Sequence, residues 1–451
     1  MHNRPLKIFF SGIGGSGVSA IAGFMSDRGH TVVGSDRTFD SNPGHPLKSV
    51  FQSGGVSIVS QDGKGIDDTF DFAVFSTAVE HDQPEVLKAR ALGIPVKTRP
   101  EYLAEITESF KTIAVSGTSG KSTVSGMLAF LMNRLGLSPN FIGGARVKQF
   151  KTPSKTGNSL TGNSDMLIIE ACESDGSIAN YRPQHSIILN ISLDHNPVDE
   201  TAKMFTALMK NTVKKIIVNA DDKNLVKLNG RNTVTFSIDN TSDYLADNIV
   251  FRPLSTDFSL QRTGFSLSLP GKYNLYNALS CIALLSEIGI NLKVIADVLP
   301  EFQGLDRRFD IYLDDGKRLV IDDYAHNPHK ISSLMQTVQK LRTRICYIFQ
   351  PHGFGPTRLM KKQYIQAFIE NLRESDHLIL LPIFYSGGTS SKDITSHDLA
   401  DGIMTGRKSV EAVESREDIL KKIHEFKNYV IFGARDETLA DFAKEVAALL
   451  S

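Results

Sequence analysis

Short, almost unbroken apolar runs recur along the chain, each followed by a polar or glycine-rich turn and then by apolar residues at helical spacing. Ile8-Phe9-Phe10 leads into a turn over 11–17, and Ile21, Phe24 and Met25 then fall on one helical face. Further strands are expected over 31–34 and 71–75, a helix over 84–91, a short strand over 94–96, and a helix from residue 100 that closes near Phe110. The pattern restarts at Ile113-Ala114-Val115, with Met127, Leu128, Phe130 and Leu131 on the following helix and strands over 166–169, 185–189 and 215–219. It restarts again with strands over 319–321, 346–349, 378–381 and 429–432, and a last helix carrying Leu439, Phe442, Ala443 and Val446. Apolar runs of this length that alternate with helices predict parallel sheets covered on both faces. Two stretches break the rhythm. Residues 151–164 are rich in Lys, Ser, Gly, Asn and Thr and read as a loop free to move, and 233–269 reads as shorter, antiparallel strands before a helix over 273–289. The expected fold is α/β in three domains: a Rossmann-like domain over 1–110, a central P-loop ATPase-like parallel sheet with a small antiparallel appendage over 111–301, and a C-terminal Rossmann-like α/β domain over 302–451.

Composition narrows the function more than the fold. A length of 451 residues suits two or three domains. Fifty basic residues balance fifty acidic ones, so no global field favours nucleic acid, and any anion must be captured locally. No apolar run approaches the roughly 20 residues of a membrane span. The chain enters a strand at once, which argues against a signal peptide. Cys172, Cys281 and Cys346 are too far apart for a zinc spacing or a disulfide framework, and buried thiols in the cytoplasm are the expectation.

Two glycine-rich turns carry the candidate chemistry. The first, Gly12, Gly14, Gly15, Ser16, Gly17 and Ser19, lies between a strand and a helix, with Asp36 about 20 residues on, as a dinucleotide-type fold requires. The second is Gly117-Thr118-Ser119-Gly120-Lys121-Ser122-Thr123, between Val115 and an apolar helix. Its glycines let backbone N–H groups face an anion at a helix N-terminus, Lys121 can reach outer phosphates, and Ser122 offers a hydroxyl to magnesium. Only Gly-Lys-Ser of the full P-loop consensus is present, since Val115 occupies its first glycine position. Glu170 and Asp194-His195 follow later strands of the same segment, where ligands of parallel sheets bind. A hydroxyl and a carboxylate suffice for a magnesium ion that keeps its waters, so Ser122 and Glu170 fit, and His195 could ligate a second ion or hold a phosphate oxygen.

The loop 117–123 resembles the Gly-Thr-x-Gly-Lys-[Thr/Ser]-Thr loop of the Mur ligases, the ATP-dependent amide-bond ligases of bacterial peptidoglycan synthesis. Other motifs agree in order along the whole chain: Gly12 to Ser19 with Gly34-Ser35-Asp36, Phe75-Ser76-Thr77-Ala78-Val79, Glu170-Ala171-Cys172-Glu173-Ser174-Asp175, Asp194-His195, Leu269-Pro270-Gly271-Lys272-Tyr273-Asn274 with Asn277, Arg307-Arg308, Asp322-Asp323-Tyr324-Ala325-His326-Asn327-Pro328 and Phe349-Gln350-Pro351-His352. The resemblance is greatest to the members that attach L-alanine. It implies a cytoplasmic enzyme, monomer or dimer, that uses ATP, Mg2+, UDP-N-acetylmuramate and an amino acid or short peptide. It implies Glu170 and His195, with Ser122, as metal ligands; Asn277, Arg308 and Asp323 as ATP contacts; Lys121, Glu170, His195, Arg308 and His326 as catalytic; and the first turn with Asp36, Ser76, Thr77 and Ala78 as the UDP-sugar site. It places His326, His352 and Arg358 with the amine substrate.

The sequence also departs from that pattern. Ser119 and Tyr273 replace histidines usual in the alanine-adding members. Their two arginines after Phe-Gln-Pro-His are lost to Gly353 and Pro356, and Arg358 is the nearest substitute for gripping the amine substrate's carboxylate. Asn196-Pro197-Val198 after His195 departs as well. Competing expectations are a peptide-recycling ligase, an NAD-dependent oxidoreductase read from the first turn alone, and a non-catalytic binding protein that keeps the fold.

Overall fold

The computed structural model describes residues 4–173, 176–192, 197–228, 232–385, 391–434, 436 and 438–451. The chain forms two compact units, Met1–Leu305 and Asp306–Ser451.

The first unit holds two sheets. One is five-stranded and parallel, built from β1 (Lys7–Ser11), β2 (Thr31–Ser35), β3 (Ser57–Val59), β4 (Phe72–Phe75) and β5 (Val96–Thr98) in the order β3-β2-β1-β4-β5. The chain leaves β1 toward β2 on one side and returns to β4 on the other. The crevice at the carboxyl ends of β1 and β4 is therefore the switch point where such sheets bind ligands. There the helix Ser16–Asp27 begins, burying Ile21, Phe24 and Met25 as their spacing predicts. The helix Arg99–Glu108 starts from a capping box between Thr98 and Glu101, with Pro100 in its first turn.

The second sheet has ten strands: β6 (Lys111–Ser116), β7 (Asn140–Ile142), β8 (Ser159–Leu160), β9 (Met166–Glu170), β10 (His185–Ile188), β11 (Ile216–Asn219), β12 (Thr233–Ser237), β13 (Tyr244–Phe251), β14 (Thr256–Leu260) and β15 (Thr263–Leu267). Their order is β15-β14-β13-β12-β11-β10-β6-β9-β7-β8. The pairs from β13 to β12, β11, β10, β6, β9 and β7 are parallel, and β13-β14-β15 is an antiparallel extension. β6 is central, and Ile113, Ala114 and Val115 are at most 1% exposed, which explains their unbroken apolar run. One apolar core runs from Ile8, Phe24 and Ile106 of the first sheet's layers to Ala114, Ile142, Leu167 and Ile169 of the second.

The second unit is a six-stranded sheet, β16 (Asp310–Asp314), β17 (Leu319–Asp323), β18 (Ile345–Gln350), β19 (His377–Leu380), β20 (Val410–Ala412) and β21 (Asn428–Gly433), in the order β16-β17-β21-β18-β19-β20. Only the edge strand β16 is antiparallel. The expected α/β architecture, with a parallel central sheet and antiparallel appendage, is the one found, but the appendage starts later than residue 233: β12 continues the parallel sheet, and β13 pairs with it in parallel before the antiparallel turn to β14. The polar stretch 151–164 differs from its expectation as a free loop: it contains β8, and Thr156, Asn158 and Ser159 in it are buried.

Candidate functional site

The turn after β6 is built tightly. Gly120 precedes the helix Lys121–Arg134 with φ of 93°, and a Cβ there would lie 2.6 Å from Asn277 Oδ1, so glycine is required on both counts. Asn277 thus stands directly behind the loop, from the first turns of the helix Lys272–Glu287. Asn190, just beyond β10, clamps Ser119 twice: its Oδ1 accepts the Ser119 N–H at 2.8 Å and its Nδ2 donates to the Ser119 carbonyl at 2.9 Å. The Thr118 hydroxyl accepts the Ser192 N–H at 3.0 Å. The loop is therefore held from outside and needs no ligand to set its shape.

Lys121 Nζ donates to the Gly117 carbonyl at 2.6 Å and to the Glu173 carboxylate at 2.9 and 3.1 Å. Side-chain exposure is 13% for the lysine and 4% for the glutamate, so water screens this pair little. Burial pulls the lysine pKa down, but Glu173, Cys172 and Glu170 outweigh it, and the ammonium stays charged with its pKa raised. Ser122 Oγ donates to Glu170 Oε2 at 3.1 Å, while Glu170 Oε1 accepts the Gly144 N–H at 2.5 Å. A side chain at Gly144 would sit 3.0 Å from that carboxylate. A hydroxyl and a carboxylate oxygen side by side, next to a phosphate loop, are hard oxygen donors that fit Mg2+. Among the described residues no group of three or more His, Cys, Asp or Glu could hold a metal ion. The third expected ligand, His195, lies with Asp194 outside the described residues, as do Ser174 and Asp175.

At the first turn, Asp36 does two backbone jobs. Its Oδ2 accepts the Gly14 N–H at 2.8 Å and its Oδ1 caps the helix Arg37–Ser41 through Thr38 N–H at 2.9 Å. Ser76 closes against Gly12, where a Cβ would lie 2.9 Å from Ser76 Cβ, and Ser76 Oγ accepts the Ala78 N–H at 3.3 Å. Gly12, Ser76 and Ala78 are thus gathered at one crevice. Ser19 is 2% exposed; its Oγ accepts a hydrogen bond from Asn158 and donates one to the Ser16 carbonyl.

In the second unit, Asp323 ends β17 and accepts the Phe309 and Ala325 N–H groups at 2.7 Å each. The Arg308 guanidinium lies over the Tyr324 ring, 4.7 Å from its centre. Behind them Arg307, 4% exposed, pairs with Asp322 at 3.1 Å and donates to the Ala434 and Asp436 carbonyls at 3.0 and 2.8 Å. Burial pushes the Asp322 carboxyl up to about 7 against the pull of Arg307. His326 Nδ1 contacts the Tyr324 carbonyl at 2.8 Å, and the His326 carbonyl accepts from the Tyr364 hydroxyl at 2.5 Å. His352 stacks on Phe384, ring centres 5.8 Å apart. Arg358 instead forms a surface ion pair with Asp393 and donates to the Ser391 carbonyl at 2.8 Å.

Comparison with known families decides the kinship. Residues 7–111 match the Mur ligase family catalytic domain, 115–285 the Mur ligase middle domain and 307–447 the Mur ligase glutamate ligase domain. The chain belongs to the Mur ligase family. A UDP-N-acetylmuramate--L-alanine ligase of Fusobacterium nucleatum is 31% identical over 98% of this chain and 96% of its own. The solved UDP-N-acetylmuramate-alanine ligase of Thermotoga maritima superposes with a TM-score of 0.81 at 25% identity, covering 98% of this chain and 99% of that one. A murein peptide ligase of Psychrobacter arcticus shares the fold, with a TM-score of 0.72 at 23% identity over 99% of this chain and 98% of its own. In this Mur ligase Glu173, part of the Glu170–Asp175 motif, and Asn190 hold the loop; their places after strand ends mark them as polar candidates but do not say which loop residue each one holds. Gly144 and Asn158 carry no such signal in a polar, glycine-rich stretch.

Proposed function

We propose that this Mur ligase joins UDP-N-acetylmuramate to an L-amino acid, L-alanine first among them, with cleavage of ATP to ADP and phosphate. The observation that carries the reading is the preset phosphate loop, with Lys121 fixed on Glu173 and Ser122 on Glu170, in a chain whose full-length relatives bear that activity in their names. The substrate carboxylate attacks the γ-phosphorus and ADP leaves, giving an acyl phosphate. The amine then attacks the acyl carbon, the tetrahedral intermediate expels phosphate, and the amine proton passes to a base. Such phosphoryl transfer rests on positioning and charge neutralisation. Lys121 neutralises the γ-phosphoryl oxygens. Ser122 and Glu170, with His195, would hold Mg2+, which would supply Lewis-acid stabilisation of the phosphoryl charge. Asn277, Arg308 and Asp323 contact ATP, His326 serves the amine, and the crevice of Gly12, Ser16, Asp36, Ser76 and Ala78 takes the UDP-sugar. The domains of this reading are 1–110, 111–301 and 302–451, and the setting is the cytoplasm, consistent with the lack of any described helix long and apolar enough to cross a membrane.

Phosphate release from ATP, measured with UDP-N-acetylmuramate over a panel of amino acids and peptides, tests the proposal. Release with L-alanine supports it. Release only with a preformed peptide moves the chain to the peptide-recycling class. The absence of ATP cleavage with every amine would refute it. An NAD-dependent oxidoreductase finds no support in the family to which the chain belongs.

A further inference from the structure

Asn158 sits in the stretch that reads as a polar loop, yet it is 0% exposed. Its amide is fully engaged. Nδ2 donates to the Ser16 carbonyl at 2.8 Å and to Ser19 Oγ at 2.8 Å, and Oδ1 accepts from Thr156 Oγ1 at 2.5 Å. Its backbone carbonyl accepts the Gly143 N–H at 2.9 Å. The next N–H, that of Gly144, holds Glu170, whose other oxygen accepts from Ser122. A continuous relay therefore runs from the helix start at the first glycine turn, through Asn158 and the Gly143-Gly144 turn, to the carboxylate beside the phosphate loop. Every link lies in the first unit. The helix Ser16–Asp27 approaches β8 so closely that a Cβ at Gly23 would stand 3.1 Å from Ser159 Oγ. Two other polar ties join the same layers, Lys155 with Asp27 at 2.7 Å and Arg28 with Asn140 at 2.8 Å. Neither reaches the turn or Glu170.

We infer that Asn158 is a positioning residue that fixes the spacing between the UDP-sugar turn and the Glu170–Ser122 pair. The inference rests on the ligase reading above, because that reading puts the attacking carboxylate at one end of the relay and the phosphoryl group at the other. Reaction between them needs near-attack geometry, and an ångström of misplacement costs up to roughly a hundredfold. A buried amide with both N–H donors and its oxygen engaged is suited to hold such a distance, since any shift leaves a buried polar group unpaired.

The test is steady-state ligation by the full chain with Asn158→Ala and Asn158→Asp, the second keeping the shape but losing both N–H donors. Both are expected to lower kcat/KM for UDP-N-acetylmuramate about thirtyfold and to raise the half-saturating Mg2+ concentration at least threefold, with the KM for the amino acid within twofold of the parent. Lys155→Ala, which cuts a neighbouring tie outside the relay, should leave all three constants unchanged. A merely structural amide would lower the melting temperature without this split. Constants within twofold in folded Asn158 variants, or equal losses toward all substrates, would overturn the inference. A parent chain that does not turn over UDP-N-acetylmuramate would refute the ligase reading instead. Calorimetry of Mg2+·ADP binding then still reads the relay, and an affinity unchanged by Asn158→Ala overturns it.

Discussion

Lys121 carries two burdens at once, and substitution separates them. On the proposed mechanism, removing its charge withdraws stabilisation of the migrating phosphoryl group, worth roughly 2.7–4 kcal/mol for one such donor, so turnover by Lys121→Ala should fall at least a hundredfold. It also breaks the ion pair with Glu173, whose side chain is 4% exposed, and breaking a buried pair from one side costs about 3 kcal/mol. Lys121→Ala is therefore expected to melt several degrees lower, and Lys121→Ala with Glu173→Gln to regain the melting temperature but not the activity. Near-normal turnover in folded Lys121→Ala would dismiss the phosphate-loop assignment. A second residue governs the response to acid. His185, at the start of β10, is 9% exposed, and its Nδ1 finds no hydrogen-bond partner among the described residues. Burial, with Lys214 and Lys215 beside it, lowers its pKa from 6.5 to about 4. As pH falls below 6.5 the unfolded chain takes up a proton that the folded chain refuses. Stability is thus intact above pH 6.5 and declines between 6.5 and about 4, by roughly 2–3 kcal/mol from this group. Urea unfolding across that range should show the decline in the parent and a flatter profile in His185→Gln. Identical slopes would show that His185 titrates freely.

At the scale of elements, the short helix Phe354–Leu359 stands where the resemblance to the alanine-adding pattern implies two arginines. It starts from Gly353, whose φ of 73° suits glycine, and it ends beside Arg358. Arg358 is occupied by Asp393, but both side chains are exposed, and exposed pairs are worth only about 0–1 kcal/mol, so a substrate carboxylate can displace the aspartate. Arg358→Ala is expected to raise the KM for the amine about ten- to a hundredfold with that for ATP nearly unchanged. An unchanged amine constant would move the carboxylate grip to another residue. The same scale shows what sequence can convey. Strands such as β1, β6 and β18 are legible because both faces are covered and each holds an unbroken apolar run, Ile8–Phe10, Ile113–Val115 and Ile345–Phe349. β3 is not: Ser57-Ile58-Val59 is partly exposed at a sheet edge, and its strand character comes from pairing with β2. The phosphate loop is legible from its own residues, but its clamps are not. Asn190 lies 71 positions from Ser119 and Glu173 lies 52 from Lys121, so only the sheet order brings them together. Asn158 was hidden because a buried amide satisfied by a distant helix has the same composition as a solvated one.

At the scale of the molecule, the units do not follow the three sheets. The core that starts at Leu6 and Ile8 continues through Tyr102 and Ile106 to Ala114, Leu167 and Phe205 without a break. Cutting after residue 110 would expose side chains worth roughly 1.5–3 kcal/mol each, whereas cutting after Leu305 falls between compact units. A fragment of residues 1–305 should therefore unfold in a single cooperative transition and bind UDP-N-acetylmuramate without NAD, as calorimetry can read. A fragment of residues 1–110 should show no cooperative transition, and one that melted sharply would contradict the shared core. The continuity of that core also bears on how such chains can exchange parts. A crossover between relatives near residue 110 would join two half-cores shaped against different partners. A crossover at the junction of Leu305 and Asp306 would leave both interiors whole, so viable chimaeras should cluster there, passing on the two glycine turns together as one inherited block.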